Sequence, residues 1–294
     1  EDGIRDYKVT GVQTCALPIS QCFAAGGIGF TLSAPDPLAT VLFESLADMR
    51  VESVPRRSPA LVVSANADDT FDLRRGSVPA GSALPAHQAL HAALSMVNET
   101  VASHWSKDHA ALHASVLDRG GAGVALIGYS GFGKTTLAAA ATRGGWGFVS
   151  DELGLVDEQH VAHAFHRPLG LRRGGLLHLG LERSHDPLFD VVKPWRASTL
   201  GSLAQRTRLT CLVFMSPPTA DHAVTPMSPA SALANMLSNL HGAAGVEHQV
   251  FRRLERLVRA VPAVRLPRHE LPLMVRLLDD LIESGRAAVA VPQG

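Results

Sequence analysis

The run GYSGFGKT, from Gly128 to Thr135, meets the pattern G-x-x-x-x-G-K-[ST] at every fixed position. Those residue types point to capture of a phosphate chain. Gly128, Gly131 and Gly133 let successive backbone N–H groups turn inward around an anion, and Ser130 and Phe132 add their own N–H groups to the cradle; larger residues at the glycines would block the turn. Lys134 can reach the β- and γ-phosphates of ATP as a point charge. The Thr135 hydroxyl can ligate the magnesium that bridges them, with Thr136 the lesser choice. Even with 26 glycines in 294 residues, the run arises by chance in on the order of half a per cent of shuffled chains. Seventeen residues beyond Lys134 stand Asp151 and Glu152, closing the strand-like GFVSDE. One carboxylate can take a proton from an attacking hydroxyl while the other holds magnesium directly or through water. An isolated Asp-Glu pair is ordinarily a solvated turn; its place at a strand end downstream of a phosphate loop gives it a function.

Such groups need stiff elements behind them. Ala111–Leu117 and Gly123–Ile127 read as strands around the turn-forming DRGGAG, a hairpin whose second strand feeds the loop. A helix over Thr135–Arg143 follows and stops at Gly144 and Gly145, and Gly147–Val149 and Leu153–Val156 read as strands flanking the acidic pair. Further on, Leu209–Met215 suits a buried strand, and Ala230–Leu240, Glu247–Ala260 and Leu271–Ser284 suit amphipathic helices. Together these outline an α/β P-loop domain over residues 107–286, with a tail at 287–294. Ahead of it, residues 20–106 form a small α+β module: strands at Ile28–Leu32 and Ala60–Ala65, and a helix over Pro85–Trp105 whose Leu90, Leu94, Val97 and Val101 recur on one face.

Composition narrows the partners. The chain is 46% hydrophobic, enough for a sizeable core, and its 27 basic and 27 acidic residues leave no net field to hold nucleic acid or an anionic membrane. Cysteines at 15, 22 and 211 make no C-x-x-C, which speaks against a disulfide framework and for a reducing compartment. No apolar run reaches the roughly 18 residues of a membrane span, so a cytoplasmic location is expected. The opening stands apart. VTGVQTCALPI, Val9 to Ile19, resembles the translation of a short-read sequencing adapter, and residues 1–19 are expected to be foreign to the fold.

The stretch LHASVLDRGGAGVALIGYSGFGKTTLAAAATRGGWGFVSDELGLVD resembles the core of the HPr kinase/phosphorylase family and its HPr-kinase-related relatives, most specifically over residues 109–172. The resemblance implies a fold related to the ATP-dependent phosphoenolpyruvate carboxykinases, with ATP and magnesium used to phosphorylate a serine hydroxyl. It implies that Lys134 and Thr135 contact phosphate and magnesium, that Asp151 is the catalytic acid/base with His113 beside it, and that Glu152 stands for a second family aspartate. HRPLGL keeps Arg167, Leu169 and Gly170 of a family signature, with Arg167 expected at phosphate. Phe165, however, occupies the place of a magnesium-binding glutamate, a loss for which the longer Glu152 is the expected compensation. The family's basic docking loop has only loose counterparts in Lys193, Arg196, Arg206 and Arg208. The implied acceptor is a serine of a peptide or protein. Two alternatives stay open: an ATP-binding regulatory protein that has lost catalysis, and a small-metabolite kinase or ATPase. A homo-oligomer is compatible with either.

Other constellations have plainer readings. His160, His163 and His166 in HVAHAFH lack a thiol or carboxylate at ligand spacing and read as structural. Arg252, Arg253, Arg256 and Arg259 read as one solvated helix face. No G-x-S-x-G is present to support serine-hydrolase chemistry.

Overall fold

The computed structural model describes residues 18–181, 192–219, 223–240 and 247–290. Its first strands, β1 (Ile19–Ala25) and β2 (Ile28–Ala34), form a hairpin in register from Ile19↔Ala34 to Ala25↔Ile28. Gly26 and Gly27 make the turn at φ 54 and 79, the left-handed geometry that a two-residue hairpin needs. There follow α1 (Leu38–Ser45), β3 (Arg50–Val51), β4 (Ala60–Ala65), β5 (Phe71–Arg75), β6 (Val78–Leu84) and α2 (Ala86–Trp105). The sheet order is β3-β1-β2-β4-β5-β6. Alternation sends Phe23, Phe30, Leu32, Leu61, Val63 and Leu73 to one face, where Leu90, Leu94, Val97 and Val101 of α2 cover them.

Four of these strands (β1, β3, β5 and β6) and α1 are absent from the sequence reading. β1 begins at Ile19, inside the stretch assigned to the foreign leader, because β2 offers that residue a partner in Ala34; the rest of the leader, residues 1–17, lies outside the described residues. β5 and β6 carry charge, Pro79 and Gly81, which read as turn, yet the edge position of β6 tolerates a missing donor.

The second half contributes β7 (Ala110–Leu112), β8 (Ala114–Arg119), β9 (Ala122–Ile127), α3 (Lys134–Arg143), β10 (Gly147–Ser150), β11 (Gly154–Val156), β12 (Val161–His163), β13 (Leu169–Arg172), α4 (Arg173–Leu179) and β14 (Val192–Trp195). It ends with β15 (Arg206–Ser216), β16 (Thr225–Met227), α5 (Pro229–Leu237), α6 (Glu247–Ala260), β17 (Ala263–Pro267) and α7 (Leu271–Ala290), the last running into the expected tail. The main sheet runs β10-β8-β9-β15-β12-β11-β7, with β17 beside β15 and β16 beyond it; β13 and β14 pair separately. β15 is parallel to β9 and β17, and the remaining pairs are antiparallel, so the architecture is mixed α/β with several sheets. Helices cover both faces. Val124 and Leu126 of β9 pack with α3 and α7, while Ala125 and Ile127 pack with α5 and α6. Among the described residues no helix is long and apolar enough to cross a membrane.

The expected boundary at 106/107 lies in the turn between α2 and β7, but apolar packing continues through it. Ala111, Leu153, Leu155 and Phe165 belong to the core of the first module. Gly26 N–H donates to the Ala164 carbonyl at 3.0 Å, and a Cβ on Gly26 would come within 2.7 Å of Leu155. Asp48 adds a polar clasp, accepting from the Arg196 guanidinium at 2.9 Å and from the Ser198 hydroxyl at 2.6 Å.

Candidate functional site

β9 is fully buried and ends at Ile127; α3 opens at Lys134; the six residues between them form the glycine-rich loop. Gly131 and Gly133 hold φ 89 and 92, and a Cβ on either would meet nothing within 4 Å. The need for glycine there is conformational, not steric as the sequence reading has it. At Gly128, φ 151 is joined by a close approach, since a Cβ would lie 3.1 Å from the Met215 carbonyl oxygen of β15. Leu137 N–H bonds back to the Gly133 carbonyl at 2.8 Å, so the preceding N–H groups of α3 open onto the loop. Tyr129 and Phe132 meet edge to face on the loop with ring centroids 5.8 Å apart.

Lys134 is only 6% exposed. Its ammonium donates to the Gly128 carbonyl at 2.6 Å and lies 3.1 Å from His113 Nε2. An ammonium only donates, so His113 accepts at Nε2 and carries its proton on Nδ1, which faces Glu152 Oε2 at 3.3 Å. Burial pulls the Lys134 pKa below its ordinary value, against the upward pull of Asp151 and Glu152.

His113 reaches this position because the strand expected over Ala111–Leu117 is two strands. β7 pairs with β11 and β8 with β9 and β10, and the chain crosses between them at His113, whose N–H donates to the Asn239 carbonyl at 2.7 Å. A hydrophobic period reports one continuous run because both partners bury it; it carries no sign of a change of partner.

The acidic pair divides sharply. Asp151 is 1% exposed. Its Oδ1 accepts from Ser115 and, at 3.3 Å, from Thr135, while Oδ2 is buried with no hydrogen-bond partner. Burial and then the Glu152 charge push its carboxyl above the usual carboxylate range. Glu152 has a side chain 33% exposed and a backbone φ of 65, the left-handed region that residues other than glycine seldom enter. Its Oε2 faces His113 Nδ1 at 3.3 Å. The orphaned Asp151 oxygen and the Thr135 hydroxyl are hard oxygen donors of the kind magnesium takes, with the Arg167 charge also acting on Asp151.

Thr136 turns toward α4: a Cβ on Gly175 would sit 2.7 Å from its hydroxyl, so Thr136 belongs to a helix contact and not to the loop. Half-buried Arg167 has a guanidinium Nε without a hydrogen-bond partner among the described residues; burial lowers its pKa against the raising charges of Glu152 and Asp151. Phe165 is fully buried, its N–H bonded to the Val149 carbonyl at 2.9 Å, and packs in the core shared with the first module. A glutamate there would be a buried charge.

Two residues near the site escape the sequence reading. Arg172, at the end of β13, donates to the Ser130 hydroxyl at 3.3 Å. His91 of α2 lies close enough to Arg167 that burial, and then that positive charge, holds its imidazole pKa down. Neither stands in a recognisable motif; only folding brings them near.

The four loose basic counterparts have different surroundings. Arg196 is engaged with Asp48, Lys193 lies over the Trp195 ring at 5.8 Å, and Arg206 and Arg208 sit exposed on β15. His163 pairs with Asp157 at 2.8 Å and His166 faces the Ala204 carbonyl at 3.0 Å, structural roles both; among the described residues no His, Cys, Asp and Glu cluster of metal-binding size exists. Arg253 and Arg256 meet Glu158 and Arg259 meets Glu255, so much of the arginine face of α6 is paired within the chain.

No family model matches the chain, and no curated protein matches it by sequence. Solved structures similar to it include an Hpr(Ser) kinase/phosphatase from Coxiella burnetii, a distant neighbour at 13% identity and a TM-score of 0.36, with 61% of this chain and 92% of that chain covered.

Proposed function

We propose that the protein is an ATP- and magnesium-dependent kinase that transfers the γ-phosphoryl group to a serine hydroxyl of a peptide or protein. The observation that carries this reading is the chain of contacts from loop to acid: Lys134 on the Gly128 carbonyl, His113 between Lys134 and Glu152, and Thr135 on Asp151. A phosphate cradle with a proton-accepting relay beside it has the parts that phosphoryl transfer to a hydroxyl requires. The resemblance of residues 109–172 to the HPr-kinase-related sequences supports the same acceptor chemistry.

The difference in exposure between the carboxylates supports a division of their roles other than the one the resemblance implies. Asp151 is buried against Ser115 and Thr135, whereas Glu152 meets solvent and His113. Glu152 therefore takes the acceptor proton, with His113 orienting it, and Asp151 stays with Thr135. Asp151 and Thr135 would hold magnesium, which when bound supplies positive charge against the phosphates. Arg167 supplies a cation whose charge acts on Glu152 and Asp151.

The test is incubation of the purified chain with labelled ATP, magnesium and a serine-peptide library, followed by mapping of the phosphorylated product. Label on a serine that disappears in Lys134→Ala is the expected result. Tight ATP binding with no labelled acceptor would favour the second reading, a nucleotide-binding regulatory protein, for which apolar burial of Phe165 is the specific motive.

A further inference from the structure

Arg172 is the terminal residue of β13, where alternation buries Leu169 and Leu171 and turns Arg172 outward. Its backbone, at φ −79 and ψ 159, also forms the N-cap of α4, so a strand end and a helix start both fix its Cα. The corner they make is pressed against the phosphate-loop helix, because Gly175 lets α4 approach Thr136 more closely than any side chain would allow. The guanidinium thereby reaches over the loop to Ser130.

The position along the loop has a direction. The N–H groups at the start of α3 face the inner phosphates, and Lys134 reaches the outer ones. Lys134 leans on Gly128 and Tyr129, the N-terminal end of the loop, and Ser130 follows directly. A guanidinium at Ser130 is therefore on the side of the terminal phosphate. A planar fork of donors also suits phosphate oxygens better than a second ammonium would.

Resting on the phosphate-loop reading above, the geometry points to Arg172 as a residue that binds the terminal phosphate of a nucleoside triphosphate and lets the site prefer it over the diphosphate. The site has a use for such a cation, because the position expected to supply a further magnesium carboxylate is the buried Phe165.

Calorimetric titration of the full chain with ATP and with ADP, each with magnesium, tests this in wild type, Arg172→Ala, Arg172→Lys and Lys134→Ala. In Arg172→Ala the ATP dissociation constant should rise roughly tenfold or more, and that for ADP less than about twofold. Arg172→Lys should recover part of the loss, since it restores charge but not the fork. Equal losses for ATP and ADP, or no loss, would overturn the assignment while leaving the phosphate loop intact, provided Lys134→Ala weakens both nucleotides. Wild-type protein that binds neither nucleotide would overturn the loop reading and this inference together. Arg172 is exposed, and an unchanged thermal midpoint shows that the variants fold.

Discussion

Glu152 and Asp151 are neighbours in sequence with opposite surroundings, and substitution should separate them. Glu152→Gln keeps the shape but accepts no proton, so phosphoryl transfer should fall by about 10² to 10⁴ with ATP affinity within a few-fold of wild type. Single-turnover transfer and calorimetry on the same samples check this; transfer at the wild-type rate would return the proton to Asp151. Asp151→Asn should instead raise the magnesium requirement. It also has a stability signature. Burial lifts the Asp151 pKa above its ordinary value, so the native state holds its proton more tightly than the unfolded chain and ionisation works against folding. The stabilising protonated form is fully present below the unfolded value of about 3.9 and is lost as pH rises through the native one. Asn lacks that loss, so the variant should melt higher than wild type at neutral pH, with the gap closing toward pH 4. Cys211 offers a simpler titration: burial pushes its thiol up to about 11, so native protein at pH 8 should resist iodoacetamide there and react once unfolded.

Among the elements, the loop between β9 and α3 separates conformation from space. Gly133→Ala adds a methyl that meets nothing, yet asks alanine to hold φ 92. The strain is about 1–3 kcal/mol, and relaxing it would turn N–H groups away from the phosphates, so nucleotide affinity should drop more than thermal stability. Titration and melting of one variant decide it; an equal drop in both would make the loop a packing element only. This loop, the hairpin that feeds it and α3 were legible because their signals are local: turn glycines, a lysine, a helix stop. The break at His113, the burial of Asp151 and the approach of Arg172 were not, because each is created by a partner remote in sequence: Asn239, Ser115 and Ser130. β6 was missed for a different reason, since its Pro79 and Gly81 obey turn statistics while the edge of a sheet accommodates them.

For the molecule as a whole, the Asp48 clasp and the shared apolar cluster bind the first module to the strands that flank the site. Ser198 and Arg196 hold the Asp48 carboxyl below the usual carboxylate range despite the opposing effect of burial. Its stabilising ionised form is present above about pH 3.9 and is lost as pH falls through the lower native value. Asp48→Ala should therefore lower the thermal midpoint by a few degrees at neutral pH, about 1–3 kcal/mol, and by less in acid. Differential scanning calorimetry at both pH values checks it; a midpoint unmoved at neutral pH would make the clasp ornamental. Ala111, Leu153, Leu155 and Phe165 raise a matter of inheritance. A recombination that cut the gene at the turn after Trp105 and gave residues 107 onward a new upstream partner would hand that partner a ready-made apolar socket. Only a newcomer with a matching apolar face could fill it; any other would leave these side chains facing water.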